Sequence, residues 1–343
     1  MESLTTQVTM ASSAGTVIDD DFDPRDLIQS GAHNLKEVKP FAVMREHENS
    51  VDCISANPAN QNEFATGSHD KTIKIWDVTK QQSIKTLTGH KEGVWCINYN
   101  KNGTQLVTAS PEGIAKLWDP KTGKSTHDLK GHTKRVFWAT YNPSSTMIAT
   151  CGSDRMVLLW DLKNLSAPIA SNTENESVVL SVDFFQDDKY LVTTNLEGDV
   201  NIISQQDNMS VIKHETIEGH QRTNAAFCCT TIKNHPAEAG VFLVGAENKH
   251  ITKFRFDARD YEIQKIGQFV GHSNSVRNVQ VSNSLQRMLS CCEDHSLRVW
   301  DYQTCEAKMI LSGHRDNVSG GAFLNENTIV SSSWDLRVMM WKI

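Results

Sequence analysis

Hydrophobic and polar residues alternate along most of this chain in short runs that are separated by polar turns. Examples are residues 64–68, FATGS, and residues 72–76, TIKIW, with the turn His69-Asp70-Lys71 between them. A period of two directs alternate side chains into a core, and short runs bounded by tight polar turns are typical of antiparallel strands. The pattern therefore predicts an all-β protein built from many short strands.

A pattern of four residues recurs along these predicted strands. A His precedes an apolar run, a Ser or Thr follows, an acid comes four residues later, and a Trp stands six residues after the acid. The full pattern occurs at His47, Thr66, Asp70 and Trp76; at His132, Thr150, Asp154 and Trp160; at His272, Ser290, Asp294 and Trp300; and at His314, Ser331, Asp335 and Trp341. A fifth copy, His90, Thr108, Glu112 and Trp118, differs by its Glu.

Two weaker copies fill the interval between Trp160 and His272. One lies at residues 175–203 and lacks the His and the Trp, and the other begins at His220 and lacks the remaining three residues. The Trp positions of the seven copies are separated by 42, 42, 43, 51, 46 and 41 residues. Repetition of this size indicates one small structural unit per copy, with neighbouring units sharing a core.

Residues 38–343 resemble the WD-repeat family of β-propellers through GSHDKTIKIWD, LTGHKEGVWCINY, LKGHTKRVFWATY and GHSNSVRNVQV. The resemblance implies a seven-bladed propeller of four-stranded antiparallel blades. It also implies that the repeated His, Ser/Thr, Asp and Trp form a structural hydrogen-bonded relay in each blade. A hydrolase uses similar residue types, but it needs one catalytic triad, whereas this set recurs at a fixed spacing. We therefore expect a structural role for the set and no enzymatic activity.

The last repeat stops at its third strand, and in this family the outermost strand of a blade comes from the start of the next repeat. Residues 37–46, EVKPFAVMRE, offer Val38, Phe41 and Val43 as apolar candidates, and Pro40 suits an outermost strand, which needs fewer backbone donors. We expect this segment to pair with residues 338–341 and close the ring. Residues 1–36 are acidic and rich in turn formers, which predicts a flexible arm before a propeller at 37–343.

In this family two kinds of position commonly reach one face of the ring. The first kind lies three and five residues after the repeat His, and the second lies directly before the turn acid. Counting five residues after each His gives Asp52, Trp95, Phe137, Leu180, Ala225, Arg277 and Ser319, and the turn positions are His69, Pro111, Ser153, Leu196, Glu247, Glu293 and Trp334.

Aromatic and Arg side chains at exposed loop positions are typical anchors of protein interfaces. We therefore predict a partner-binding face that consists of Trp95, Arg135, Phe137, Leu180, Arg277 and Trp334. Since Trp95, Phe137 and Leu180 belong to consecutive blades, they are expected to adjoin; the alternative for Trp95 is packing between blades.

Basic residues suggest a second kind of partner. His69, Lys71, Lys91 and Lys134 are candidates for contacts with RNA phosphates. His69-Asp70-Lys71 is similar to an Arg-Asp-Lys that faces ribosomal RNA in the receptor for activated C kinase, which implies a ribosome-associated scaffold as an alternative. The segment SSSWDLRVMMW also resembles G-protein β subunits, which implies a signalling subunit as a further alternative.

Composition narrows these alternatives. The net charge is −7, but residues 1–40 hold seven acidic and three basic side chains, so the remainder is nearly balanced and broad attraction to nucleic acid is not expected. The eight Cys form no CxxC pair, which indicates a reducing compartment. No 18-residue apolar run and no signal-peptide pattern is present, so we expect a cytoplasmic protein without membrane insertion, with a nuclear location as the alternative.

The sequence lacks the common signatures of catalytic and cofactor sites. It contains neither GxxxxGK[ST] nor HExxH, and His214, His220, His235 and His250 gather around the fifth repeat without the spacing of metal ligands. We expect no cofactor, no metal and no small-molecule substrate. The sequence therefore favours a non-catalytic protein-interaction scaffold within a multi-subunit assembly.

Overall fold

The computed structural model describes residues 35–217, 226–231, 238 and 240–343. These residues form strands and turns. The strands are β1 (Lys36–Val38), β2 (Ala42–Met44), β3 (Val51–Ala56), β4 (Glu63–Ser68), β5 (Ile73–Asp77), β6 (Gln82–Leu87), β7 (Cys96–Tyr99), β8 (Leu106–Ala109), β9 (Ala115–Asp119), β10 (Lys124–Leu129), β11 (Val136–Tyr141), β12 (Met147–Gly152), β13 (Val157–Asp161), β14 (Ala170–Asn172), β15 (Val179–Phe185), β16 (Tyr190–Asn195), β17 (Asp199–Ser204), β18 (Ser210–Thr216), β19 (Ala226–Thr231), β20 (Val241–Ala246), β21 (Ile251–Asp257), β22 (Glu262–Phe269), β23 (Val276–Val281), β24 (Arg287–Cys292), β25 (Ser296–Asp301), β26 (Ala307–Ser312), β27 (Val318–Asn325), β28 (Thr328–Ser333) and β29 (Val338–Lys342). Within these ranges, no helix has the length and hydropathy needed to cross a bilayer.

The strands form seven sheets, which we number as blades in chain order. Blades 1 to 5 are β3–β6, β7–β10, β11–β14, β15–β18 and β19–β22, blade 6 is β23–β26 with β1, and blade 7 is β27–β29 with β2. Each innermost strand contacts the innermost strand of the next blade, and β27 of blade 7 contacts β3 of blade 1. The predicted seven-bladed, all-β propeller is therefore confirmed.

The core lies at the seams between neighbouring blades. Seven clusters of buried apolar side chains each combine residues of two adjacent blades. The repeat Trp side chains at 76, 118, 160, 300 and 341 are fully buried in five of these seams. Since one face of a sheet must be covered by another element, the ring lets every blade bury both of its faces.

Two short N-terminal strands close the ring. Strand β2 pairs antiparallel with β29, with Met44 opposite Val338 and Ala42 opposite Met340, which confirms the predicted closure. Ala42 and Met44 enter the core between blades 7 and 1, whereas Phe41 and Val43, which the sequence offered as apolar candidates, alternate to the other side of the chain and are exposed. Strand β1, which was not predicted, pairs in parallel with β26, and Val38 enters the core between blades 6 and 7. Pro40 lies between these two strands.

The repeated polar residues are hydrogen-bonded in blades 1, 2, 3, 6 and 7. In blade 1, His47 Nδ1 is 2.7 Å from Asp70 Oδ2, His47 Nε2 is 2.8 Å from Thr66 Oγ1, and Trp76 Nε1 donates to Thr66 Oγ1 at 2.8 Å. Blades 2, 3, 6 and 7 repeat the three contacts. Each relay satisfies polar groups that would otherwise be buried without partners.

Blade 4 replaces the relay with a chain of amides. Asn175, in the His position, donates to Asn172 Oδ1 at 2.7 Å and accepts from Asn201 Nδ2 at 3.1 Å. His214 Nδ1 lies 2.8 Å from Asn201 Oδ1. In the seam between blades 4 and 5, Phe side chains take the place of the repeat Trp. Phe185 packs against Phe242 and Phe256 with ring centroids 6.1 and 5.8 Å apart. The two weakest repeats thus use different side chains to stabilise the same fold.

Candidate functional site

One face of the ring carries the loops that precede each innermost strand and the turns between the second and third strands. We call it the loop face. On this face a β-bulge opens the innermost strand of six blades, and the bulged residues are Asp52, Phe137, Leu180, Phe227, Arg277 and Ser319. Because a bulge interrupts the regular alternation of side chains along a strand, each of these blades has one such irregular position on the loop face.

Trp95 holds the corresponding position in blade 2, directly before β7, where its backbone N–H donates to Ala109 O at 3.0 Å. In blade 5 the register places Phe227 at the bulge. The predicted positions three and five residues after His220, Thr223 and Ala225, lie outside the described residues.

A backbone hydrogen bond joins the two kinds of predicted position in five blades. The N–H of the residue before the turn acid donates to the carbonyl of the residue three positions after the repeat His. The pairs are His69 with Ser50, Ser153 with Arg135, Leu196 with Val178, Glu293 with Ser275 and Trp334 with Asn317. In blade 2 the turn residue is Pro111, which has no N–H to donate. Each turn is therefore fixed against the loop beside it.

The structure brings Trp95 and Phe137 together. Their rings stack with centroids 5.1 Å apart and an angle of 13° between their planes. Both side chains are partly exposed on the loop face. Aromatic pairs of this geometry are stabilised by stacking in addition to burial. Leu180, one blade further, is also partly exposed at the bulge position, so the apolar residues follow consecutive blades.

The structure also brings Arg277 and Trp334 together, on blades 6 and 7. The Arg277 guanidinium lies 5.6 Å from the centre of the Trp334 ring and forms an ion pair with Glu293. All three side chains are partly buried. Arg277 therefore already has an acidic partner within the ring, unlike Arg135, which is exposed on blade 3.

His69 contacts a buried acid. Its Nδ1 lies 3.6 Å from Asp52 Oδ2, an ion-pair distance, and that oxygen is buried without a hydrogen-bond partner, whereas Asp52 Oδ1 accepts from Ser50 Oγ. Burial raises the pKa of Asp52, and the Asp52 carboxylate raises the pKa of His69. A Cβ on Gly93 would lie 3.1 Å from the His69 ring, so glycine permits this arrangement. His69, a candidate for RNA contact, is thus directed to Asp52.

The remaining predicted basic residues project from the same face. Lys71, Lys91 and Lys134 are exposed, and Lys71 occupies the left-handed turn position with φ of 72°. Lys134 O faces Gly113, where a Cβ would lie 3.1 Å away. The three lysines thus lie on the loop side of blades 1 to 3, in the same sector as the aromatic pair.

Among the described residues, His272, Cys292 and Asp294 form a compact set of potential metal ligands, with ligand atoms within 4.8 Å of one another. Both ring nitrogens of His272 already contact other side chains, Asp294 at 2.7 Å and Ser290 at 2.7 Å. Cys292 Sγ donates to Asn274 O and accepts from the Asp294 N–H. The contacts of His272 belong to the relay, and Cys292 makes the contacts that Ser68 makes with Asn49 O and the Asp70 N–H in blade 1.

Two of the four histidines around the fifth repeat lie within the described residues. His214 contacts Asn201 and lies 3.7 Å from Asp199, and burial lowers the pKa of His250. His220 and His235 lie outside the described residues.

Comparison with known proteins matches five segments of the chain to the family described as WD domain, G-beta repeat. The matched residues are 38–77, 81–119, 123–161, 263–301 and 305–342, which together cover more than half of the chain. They coincide with the blades that carry the complete relay, and the unmatched interval contains the two degenerate repeats.

The curated relatives match over a short segment. A ribosome biogenesis protein WDR12 homolog of Nematostella vectensis is 36% identical over 61 residues, 18% of this chain and 15% of the relative. Coatomer subunit beta' of Homo sapiens is 41% identical over 61 residues, 18% of this chain and 7% of the relative. An uncharacterized WD repeat-containing protein of Schizosaccharomyces pombe is 39% identical over 61 residues and is covered to 15% of its length. The chain therefore spans only a small part of each relative.

Proposed function

The chain belongs to the WD-repeat family, and from this premise we propose that it is a non-catalytic scaffold that binds protein partners through the loop face. The observation that carries the proposal is the Trp95–Phe137 stack, a partly exposed aromatic block formed by the bulge residue of blade 3 and the residue at the corresponding position of blade 2. Large aromatic side chains at the centre of an interface contribute much of its binding energy. Arg135 and Leu180 extend the same surface on blades 3 and 4.

The experiment is quantitative affinity purification with the full chain and the double variant Trp95→Ala, Phe137→Ala. The matched control is Phe41→Ala, Tyr261→Ala, which removes two exposed rings outside the loop face, 49% and 45% exposed. Circular dichroism establishes that both variants are folded. We expect the loop-face variant to lose a defined set of partners that the control retains. Retention of every partner by both variants would show that the loop-face assignment is wrong.

A second candidate is a ribosome- or RNA-associated scaffold. Two observations favour it: the basic side chains Lys71, Lys91 and Lys134 share one sector of the loop face, and one relative is named as a ribosome biogenesis protein. Phosphate contacts would make binding to RNA fall steeply as salt is raised. The test is to measure the RNA that co-purifies with the chain. RNA that co-purifies at low salt, dissociates at high salt and is lost when these three lysines are changed to Gln would favour this candidate.

A further inference from the structure

Five cationic side chains lie on the loop side of blades 1 to 3, the sector that also contains the aromatic pair. We call them the basic arc: Lys71, Lys91, Lys134, Arg135 and Arg155. All five are exposed, and within the described part of the chain none of them forms an ion pair. Exposed cations without partners present their full charge to an approaching molecule.

Backbone contacts fix the positions of the arc residues. Lys71 and Arg155 occupy the left-handed turn position of blades 1 and 3, with φ of 72° and 68°. Arg135 O accepts from Ser153 N at 2.9 Å, and Lys134 O lies against Gly113. The charges therefore project from ordered loops and turns on blades 1 to 3.

The acidic residues in this sector are mostly engaged. Asp70, Glu112 and Asp154 accept hydrogen bonds from the relay histidines of blades 1, 2 and 3, which leaves Glu48 and Glu92 as exposed acids near the arc. The loop side of blade 4 differs, since its exposed charged residues, among those that the structure describes, are the acids Glu174, Glu176 and Glu197, of which Glu174 accepts from the Val211 N–H at 2.8 Å. The loop face therefore has a basic sector of limited width beside an acidic one.

We propose that the partner segment recognised at this sector is acidic, with an apolar or aromatic side chain that packs on the Trp95–Phe137 block while flanking carboxylates face the basic arc. This inference rests on the proposed function and specifies the partner. Charge complementarity of this kind accelerates association and excludes cationic competitors, while the buried aromatic contact supplies most of the affinity.

Two features favour an acidic polypeptide over RNA. Trp95 and Phe137 stack on each other, so each ring has one face fewer available for a nucleotide base, and base stacking on aromatic faces is a principal source of single-strand affinity. A long polyanion that leaves the arc towards blade 4 would also meet Glu174, Glu176 and Glu197. A short acidic peptide fits the basic sector without this repulsion.

The test is selection from a random dodecamer peptide library displayed on phage, with the purified full chain as bait. Three variants are compared by fluorescence anisotropy with the selected peptides. The first changes all five arc residues to Gln. The second is the Trp95→Ala, Phe137→Ala variant. The third is a matched control that changes five exposed lysines at the opposite end of the blades to Gln: Lys101, Lys121, Lys124, Lys163 and Lys189.

We expect the selected peptides to be rich in Asp and Glu around a central aromatic or Leu residue. Neutralising the arc should weaken their binding about tenfold or more at low salt and leave the weakened binding nearly independent of salt. The control variant should bind like the unmodified chain. A labelled oligouridine, tested in parallel, should bind no more weakly to the arc variant than to the control.

Other results would overturn the inference. Selected peptides without acidic enrichment, or equal binding by the arc and control variants, would refute the acidic partner; if these peptides still required Trp95 and Phe137, the proposed function itself would stand. Oligouridine binding that the arc variant alone abolishes would favour RNA. Peptides that bind independently of the arc and of the aromatic pair would refute both proposals.

Discussion

Val38 lies opposite Leu311 in a parallel pairing that adds β1 to the outer edge of blade 6. Four residues later the chain begins β2, which completes blade 7. The N-terminal segment therefore spans the seam between the last two blades in addition to closing the ring between the last and the first. Since an exposed edge strand can pair with another chain, β1 also protects the edge of β26.

The first prediction concerns this seam. Val38→Asp places a charge in a core that includes Leu311 and Trp341, and we expect it to lower the free energy of unfolding by at least about 2 kcal/mol. The control is Val43→Asp in the same segment, because Val43 is 52% exposed. Chemical denaturation followed by tryptophan fluorescence measures both. Equal losses would show that β1 does not stabilise the seam.

The second prediction tests the relay in blade 7. Ser331→Ala removes the hydroxyl that accepts from Trp341 Nε1 at 2.9 Å and contacts His314 Nε2 at 2.7 Å. Two buried polar groups then lose a partner, and we expect a loss of about 2–4 kcal/mol. Ser331→Thr should restore most of it, because blades 1 to 3 have Thr at this position. Thermal unfolding measures the stability of these variants, and Ser171→Ala, at an exposed position, is the control. If Ser331→Ala is as stable as the unmodified chain, the relay does not stabilise blade 7.

The third prediction concerns acid stability. Burial would raise the pKa of Asp70, but hydrogen bonds from His47 and Thr72 outweigh it, and the pKa lies well below its usual range. A carboxyl whose pKa is depressed by folding adds stability that is complete above the unfolded value of about 4 and is lost as the pH falls below it. Asp294 shows the same direction.

We therefore expect the protein to lose stability steeply below about pH 4. Asp70→Asn should be less stable at neutral pH and should show a shallower loss on acidification, so that the two curves converge in acid. Exposed Asp187→Asn is the control. Melting temperatures between neutral pH and about pH 2 measure this, and parallel curves for Asp70→Asn and the unmodified chain would contradict it.

The fourth prediction separates backbone strain from steric overlap. Gly103 and Gly123 both have left-handed φ, 65° and 76°, but a Cβ on Gly103 would overlap the Asn57 amide, whereas one on Gly123 would meet the flexible Lys85 side chain at 3.0 Å. Gly123→Ala should cost about 1 kcal/mol from strain alone. Gly103→Ala should cost more, because Asn57 must move from its bonds to Glu63 and Gly103 O.

Urea denaturation measures the free energy of unfolding of Gly103→Ala and Gly123→Ala. The control for overlap with Asn57 compares Asn57→Ala and Gly103→Ala with the variant that carries both substitutions. If overlap with Asn57 is the cause, the double variant should lose less than the sum of the two single variants. If the losses of the two single variants simply add in the double variant, the loss caused by Gly103→Ala comes from backbone strain and not from overlap with Asn57.

The blade number, the relay and the closing strand β2 followed from the sequence, because each depends on a spacing that repeats. The acid follows the repeat His by 23 residues in blade 1 and by 21 residues in blade 7, and the same relay contacts form in both blades. The polar pattern in the first and last repeats also showed that one strand was missing and which residues could supply it. Local periodicity therefore determined the architecture.

Only the tertiary structure revealed contacts that the spacing of the repeats does not predict. Strand β1 pairs with residues about 270 positions away, and no repeat encodes that pairing. The contact of His69 with Asp52 and the ion pair of Arg277 with Glu293 depend on bulges and turns, and one extra residue in a strand redirects a side chain. The sequence therefore determined the ring, whereas the arrangement of charges and rings on the loop face required the folded chain, because the bulges and turns that place these side chains come together only when the strands pair.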